Sequence, residues 1–395
     1  MEIHFIDDNL VNYDGHNADY IESLCNELLI RGVNAHVSSN INLLINENRN
    51  ITYHKVFEIQ SSKLHSYKLK ALNFKGVRII WSNLIFFKNY FRIKNVIDNS
   101  NLNILNDLSP RNYFGFLFFT LVTSLVGSKS RFLIIFHDRI PKFHFYLLVI
   151  LKKLSFGHNF FYASQSRIIS EDLKNRFHLN VINLPTPQIF EKIDKLECSD
   201  NKKLNISFVG LASKAKGFDF LINYLKHIIV SNELSIINHF QFTVQMSTID
   251  NELLNSSFQN DLDFIKNHRG LSVNFINNKL NNSDYVNLFK NSNFILAPYN
   301  PLNYKFIQSG VVTQAISCGK PVILTNNTYC SLEAKELNVG VIFEYNNFTD
   351  LTEKLIYAKE NYDTLAELSI SKTQVYRQNH GPKMYVDILI NEFAK

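Results

Sequence analysis

The chain opens on MEIHFID, an apolar run with the alternation of a buried strand, and passes into the polar turn DDNLVNYDGHN. The period then changes. Ile21, Leu24, Cys25, Leu28 and Leu29 recur at helical spacing, which puts them on one face of a helix starting near Ala18 and ending at Arg31-Gly32. VNAHVSS reads as a short strand again. Strand, glycine-bearing turn, helix, strand is how a parallel doubly wound sheet begins, and such sheets bind ligands at the carboxyl ends of their strands. Further strands are predicted at GVRIIWS (Gly76 to Ser82), LNILND (Leu102 to Asp107), RFLIIFHD (Arg131 to Asp138) and FFYAS (Phe160 to Ser164). A helix is predicted at RIISEDLKNRF (Arg167 to Phe177), followed by NVINLPTP.

From Pro185 to about Lys203 two prolines and the polar run KIDKLECSDNKK break the periodicity, which marks a linker. A second α/β series follows: NISFVG, the helix FDFLINYLKHIIV, HFQFTVQM, SVNFINN, the helix DYVNLFKNS, NFILAPY, a helix from about Ser309, and PVILTN. The last stretch, TQVYRQNHGPKMYVDILINEFAK, is helical with a break at Gly381-Pro382, and is expected to cross back onto the first domain. A length of 395 residues suits two domains of this kind. The expected division is 1–185, a linker at 186–204, a second domain at 205–375, and a terminal helix at 376–395.

Composition narrows the class. With 46% hydrophobic and 19% charged residues the chain is globular. Cys25, Cys198, Cys318 and Cys330 form no C-x-x-C pair, which favours free thiols, and the acidic start MEIHFIDDNL is unlike an export signal, so a cytoplasmic location is expected. The net charge of +6 is concentrated: Arg49 to Lys153 holds 17 Lys and Arg against 4 Asp and Glu. Interleaved are the aromatic runs SNLIFFKNYFRIK (Ser82 to Lys94) and FHFYLLVILKKL (Phe143 to Leu154). These read either as amphipathic helices able to lie on an anionic membrane surface or as helices whose aromatics face the core. YFGFLFFTLVTSLVG (Tyr113 to Gly127) is shorter than the roughly 20 residues of a membrane span and reads as a buried or interface-dipping helix. No nucleic-acid partner is expected.

Two segments carry candidate chemistry. In FVGLASKAKGFDFLI (Phe208 to Ile222) a strand meets a small-residue turn with Gly210, Lys214, Lys216 and Gly217, then a helix. Backbone N–H groups at a helix start, with a lysine beside them, suit a phosphate, although such turns also occur for shape alone. In NSNFILAPYNPLNYKFIQSGVVTQAISCGKPVILTN (Asn291 to Asn326) a strand ends in Pro298-Tyr299, and Ser309-Gly310-Val311 open a helix. Two anion sites in one domain fit a diphosphate. The bland reading, glycines for tight turns, suits Gly319 better than Gly310. There is no H-E-x-x-H, P-loop, G-x-S-x-G or D-x-D at a strand end, and Asp7-Asp8 reads as a lone acidic pair, so no metal site and no cofactor are expected.

In this order and spacing the two segments resemble the donor half of retaining GT-B glycosyltransferases, the group often called family four. The most specific stretch is APY, SGV and QAISCGKPVILT, followed by LNVGVIFE (Leu337 to Glu344). The resemblance implies a fold of two Rossmann-like doubly wound domains with a cleft between them. It also implies a nucleotide-sugar donor on the second domain and a glycan or lipid-linked acceptor on the first. Lys216, assisted by Lys214, corresponds to the family's phosphate-binding lysine, and Ser309, Gly310 and Val311 to its phosphate-binding amides. Gln314 stands where the family has a ribose-binding carboxylate, Phe306 where it often has a glutamate, and Leu211 where an arginine usually follows the glycine. Gly15, with His16 near it, corresponds to the family's glycine loop. His137 corresponds to a histidine near the reacting sugar, with Asp138 and Arg139 beside it at the acceptor side; a strand-end histidine bonded to backbone is the alternative. His16 and Asp14 could pair as a base and its orienter, or simply form a polar turn. The implied activity is retaining sugar transfer in bacterial cell-surface polysaccharide synthesis, peripheral to the cytoplasmic membrane. The rivals are a nucleotide-sugar epimerase of the same architecture, which needs paired acids, and a binding module without turnover.

Overall fold

The computed structural model describes residues 1–11, 16–44, 51–61, 75–106, 108, 112–139, 146, 149–150, 153–154, 156–187, 203–246, 249–250, 253 and 256–394. The chain divides into two compact units, Met1–Gln188 with His380–Lys395, and Ile189–Asn379. Each is built on a parallel sheet.

The first unit contains β1 (Glu2–Ile6), α1 (His16–Ile30), β2 (Asn34–Asn40), β3 (Thr52–Phe57), α2 (Lys75–Arg92), α3 (Lys94–Asn99), β4 (Leu102–Leu105), α4 (Tyr113–Leu125), β5 (Arg131–Phe136), β6 (Asn159–Ser164), α5 (Arg167–Phe177) and β7 (Val181–Asn183). Its seven strands lie in the order β3-β2-β1-β4-β5-β6-β7. The chain therefore runs outward from β1 to β3, crosses back to β4, and continues the other way. Right-handed crossovers place α1 on one face of the sheet and α2, α4 and the β5–β6 connection on the other. On the second face Phe86 packs on Phe57, and Phe116 packs edge-on against Phe132 and Phe160.

The run GVRIIWS, expected as a strand, lies inside α2. Its β-branched content suggests extension, but helical spacing continues unbroken through buried Phe86, Tyr90 and Ile93, so GVRIIWS and SNLIFFKNYFR form one helix. The strand on this side is β3, TYHKVF, an edge strand too polar along most of its length to signal itself. Tyr113–Leu125 is helical as expected. Its Gly115 is required: a Cβ there would lie 2.5 Å from Asn83 O and 2.8 Å from Phe86 Cβ, where α2 and α4 cross.

The second unit contains β8 (Leu204–Phe208), α6 (Phe218–Val230), α7 (Leu234–Ile237), β9 (Phe240–Gln245), α8 (Ser256–Asn267), β10 (Ser272–Ile276), α9 (Asn282–Lys290), β11 (Phe294–Ala297), α10 (Pro301–Tyr304), α11 (Gly310–Ser317), β12 (Val322–Thr325), α12 (Tyr329–Leu337), β13 (Gly340–Phe343), α13 (Phe348–Glu360) and α14 (Tyr362–Asn379). The strand order is β10-β9-β8-β11-β12-β13. Two core layers result, Leu221, Leu225 and Leu262 on one side of the sheet and Phe289, Val311 and Ala315 on the other.

α14 ends at Asn379, and Gly381 (φ 98°) with Pro382 resets the chain into α15 (Pro382–Phe393). This helix belongs to the first unit. Tyr385, Val386 and Leu389 are buried in that unit's core, Tyr20 OH donates to Tyr385 OH at 3.1 Å, and Arg31 pairs with Asp387 at 2.8 Å. Most of the expected linker, 188–202, lies outside the described residues.

Candidate functional site

In a doubly wound sheet the crevice lies where the connections diverge, at the carboxyl ends of the two strands flanking that point. In the second unit those strands are β8 and β11. After β8 the chain reaches Gly210, whose φ of 109° only glycine tolerates well. Its N–H donates to Gln245 Oε1 at 2.7 Å, which fixes the turn against the end of β9. Residues 213–217 then coil so that Gly217 takes φ 67° and caps α6. A side chain at Gly217 is impossible without movement, because its Cβ would fall 1.8 Å from Pro298 O. Asn300 N also donates to Ala215 O at 3.0 Å, so the lysine turn is bound to the loop leaving β11.

The same loop leads to α11, whose N-cap is Ser309, accepting from Val312 N at 3.4 Å. Buried Tyr299 braces that cap, its hydroxyl 2.9 Å from Ser309 Oγ. Gly310 is not among the described glycines with positive φ, so no tight turn explains it. Among the described residues no acceptor engages the N–H groups of Gly310 and Val311, the first two of the helix.

Lys216 completes the arrangement. A methyl placed on Gly210 would lie 2.6 Å from Lys216 Nζ and 3.6 Å from Val311 Cγ2, so the ammonium and the start of α11 converge on one small-residue floor. Burial pushes the Lys216 ammonium down to about 8. Among the described residues Lys216 Nζ has no carboxylate and no hydrogen-bond acceptor. Lys320, which burial also holds near 8, makes the contrast: its Nζ donates to Lys290 O and Ser292 O at 3.0 and 2.9 Å and ties down the end of α9. A half-buried cation that has no partner among the described residues, beside two open helix amides, suits an anion. Lys214, two residues before Lys216, is exposed. Gln314, one turn into α11, is buried and its Oε1 accepts from Tyr285 OH at 3.0 Å, while its amide nitrogen has no partner among the described residues.

In the first unit the corresponding crevice lies between β1 and β4. Asp7 and Asp8, which read as a lone acidic pair, are buried there, at 2% and 4% exposure. Asp7 accepts from Asn9 N at 2.9 Å and from Asn106 Nδ2 at 3.0 Å. Asp8 accepts from Ser61 N at 2.5 Å and Asn112 Nδ2 at 3.3 Å. His137, just beyond β5, donates from Nε2 to Asn106 O at 2.7 Å, with Asn106 Oδ1 at 3.3 Å. The backbone bond raised as the bland alternative for His137 therefore exists. With Nε2 donating, Nδ1 has no partner among the described residues. Only the position of Asp7-Asp8 directly after the first strand could have drawn attention to them.

The other residues singled out for this unit scatter. Asp138 Oδ1 accepts from Arg139 N at 2.6 Å, and the Arg139 guanidinium lies 3.3 Å from Asp172 on α5. His16 opens α1, while Asp14, Gly15 and the His16 side chain lie outside the described residues. Among the described residues no group of three or more His, Cys, Asp or Glu is arranged to hold a metal ion. Cys25, Cys318 and Cys330 are free and buried.

No protein-family model matches the chain, and no curated protein matches it by sequence. Solved structures do. A glycosyltransferase from Rickettsia africae is similar with a TM-score of 0.66 at 13% identity, over 99% of this chain and 97% of that one. WaaG, a glycosyltransferase involved in lipopolysaccharide biosynthesis, is similar with a TM-score of 0.62 at 12% identity, over 98% and 99%. A UDP-forming α,α-trehalose-phosphate synthase from Burkholderia xenovorans, solved with glucose-6-phosphate, gives 0.67 at 10% identity over all of both chains. The chain has the GT-B fold. Each Rossmann-like unit of this GT-B chain thus carries a polar cluster at its own switch point, cationic in the second and carboxylate-bearing in the first.

Proposed function

We propose that this protein is a glycosyltransferase that moves a sugar from a nucleoside-diphosphate sugar to a hydroxyl of a glycan or lipid-linked acceptor. The observation that carries this reading is the half-buried Lys216 ammonium, without a partner among the described residues, beside the open N–H groups of Gly310 and Val311 at the β8/β11 switch point. A diphosphate presents anionic oxygens on two phosphorus atoms, which suits one point charge and one helix start. The names of the structural neighbours, glycosyltransferases and a UDP-forming synthase among them, support the same class.

In the proposed reaction the bond between the anomeric carbon and the diphosphate oxygen breaks, and a bond from the acceptor oxygen to that carbon forms. The acceptor's proton leaves with the diphosphate. Charge develops on the departing oxygens, where Lys216 and the α11 amides stabilise it without reorganising. Ser309 and Tyr299 hold the helix start in place, and Gln314 offers its amide to the nucleotide ribose. Retention of configuration, no protein nucleophile and no required metal belong to the same proposal, so a chelator should leave turnover unchanged. The first unit takes the acceptor, with Asp138, Arg139 and the Nδ1 face of His137 at the strand ends. A role in bacterial cell-surface polysaccharide synthesis, on the cytoplasmic side, completes the reading.

The test is product analysis. Each nucleotide sugar is incubated with and without an extract of lipid-linked and soluble glycans, and nucleoside diphosphate and free nucleotide sugar are quantified. Acceptor-dependent release of diphosphate with one donor is expected. Conversion of the free nucleotide sugar without acceptor would show an epimerase instead, and binding with no product would show a module without turnover.

A further inference from the structure

The polar cluster of the first unit contains a chain of hydrogen bonds that runs from a buried carboxylate to an exposed imidazole. Asp7 follows β1, Asn106 follows β4 and His137 follows β5, and these three strands lie side by side in the sheet. Parallel pairing brings their carboxyl ends to one edge, where ligands of such sheets bind. Exposure rises along the chain of bonds: Asp7 is 2% exposed, Asn106 is 8% exposed, and His137 stands at the surface. Asp7 divides its two oxygens. Oδ1 closes the local turn by accepting from Asn9 N at 2.9 Å, and Oδ2 accepts from Asn106 Nδ2 at 3.0 Å. The neighbouring Asp8 serves other loops, accepting from Ser61 N at 2.5 Å and from Asn112 Nδ2 at 3.3 Å.

Donor and acceptor rules determine which way each group faces. A backbone carbonyl only accepts, so the His137 Nε2 that stands 2.7 Å from Asn106 O carries hydrogen. The Asn106 side chain lies 3.3 Å from the same nitrogen, and an amide NH2 there would set donor against donor. Oδ1 therefore faces the ring, and Nδ2 faces Asp7, whose carboxylate oxygen accepts it. The carboxylate orients the amide, and the amide together with its own carbonyl orients the imidazole. In the neutral ring the hydrogen is on Nε2, and Nδ1, without a partner among the described residues, is an acceptor. Two buried groups that order a ring standing at the surface act on whatever that ring meets.

We propose that Asp7 and Asn106 are positioning residues that hold His137 in the tautomer whose Nδ1 accepts a hydrogen bond from a hydroxyl of the sugar acceptor. This rests on the glycosyltransferase reading and adds to it the state of the imidazole and the two residues that set it. The hydroxyl held is a neighbour of the attacking one, whose proton leaves with the diphosphate, so no proton passes to His137. Such a face retains an acceptor that offers O–H at this point and rejects one that places a fully ionised phosphate there, which has no hydrogen to give.

The experiment is nitrogen NMR of the full chain with isotope-labelled histidine, at about pH 8, where an ordinary imidazole is neutral. His137→Gln, at an exposed position, identifies the His137 signals among the 13 histidines. The wild type should carry hydrogen on Nε2 alone. Asp7→Asn keeps the shape but no longer dictates how Asn106 faces, so it should give a mixture of both tautomers, whereas Asp8→Asn should keep the wild-type pattern. The exchanged pair Asp7→Asn/Asn106→Asp again presents an oxygen to His137 and should restore the Nε2 pattern. In acceptor-dependent diphosphate release, Asp7→Asn should lower kcat/KM for the acceptor by about ten- to a hundredfold, with KM for the nucleotide sugar unchanged and activity recovered in the exchanged pair. Hydrogen on Nδ1 in the wild type, an unaltered His137 pattern in folded Asp7→Asn, or no restoration in the exchanged pair overturns the inference. So does full acceptor turnover by Asp7→Asn. Failure of the donor reading looks different: no nucleoside diphosphate shifts the melting temperature, while the His137 tautomers stay as described.

Discussion

At the scale of single residues, Lys216 is the position where the proposed function and stability oppose each other. Its ammonium is pushed down to about 8 from 10.5. Between those two values the unfolded chain keeps a proton that the folded chain has released, so folding becomes more favourable as pH rises through that window. Below it the folded protein carries a desolvated charge. Lys216→Met should therefore stabilise the ligand-free protein at neutral pH, by on the order of 1–3 kcal/mol after allowance for residual solvent. Urea melts at two pH values measure this, and the gain should shrink as pH climbs past the lysine's own pKa. A structural lysine gives the opposite sign, as Lys320→Met should, since it strands two carbonyls. Gly217→Ala is expected to destabilise by more than about 1 kcal/mol, because both its φ and the 1.8 Å approach to Pro298 O exclude a Cβ. The lysine and glycine were legible in the sequence because a short motif before a helix carries its own geometry. Asp7 and Asn106 were not, since 99 residues separate them and only the strand order brings them together.

Whole elements show where local pattern suffices and where it fails. α6 runs from Phe218 to Val230, as its apolar spacing predicts, and Ser309 caps α11 as its position predicts. β3 and the start of α2 were misread because a polar edge strand lacks alternation and a helix rich in Val and Ile imitates a strand. β1 holds a second consequence. His4 sits wholly buried between Asn103 Oδ1 at 2.9 Å and Ser38 Oγ at 2.7 Å, and burial drives it down to about 3. As pH falls from 6.5 toward 3 the unfolded chain takes up a proton that folded His4 refuses, so the first unit should lose stability across that range. His4→Gln should flatten this acid limb in melting curves recorded from pH 7 downward. α15 makes a test of its own. Truncation after Asn379 removes Tyr385 and Leu389 from the first unit's core, and calorimetry should show that unit's transition lowered or lost while the second unit's transition stays.

Over the whole molecule, the repeated α/β alternation made the doubly wound class readable, whereas the sugar, the nucleotide and the acceptor leave no trace in periodicity. Both sheets place their polar clusters at switch points, and among the described residues only the second offers an unpartnered cation there. The central claim is that this cation and the start of α11 bind a nucleoside diphosphate. Thermal unfolding of wild type and Lys216→Met, each with a panel of nucleoside diphosphates, tests it most directly. A ligand at 100 times its dissociation constant stabilises by about 2.7 kcal/mol. One nucleotide should raise the wild-type midpoint clearly and leave the Lys216→Met midpoint, already higher without ligand, where it is. No shift with any nucleotide in folded wild type, or an equal shift in the variant, contradicts the account.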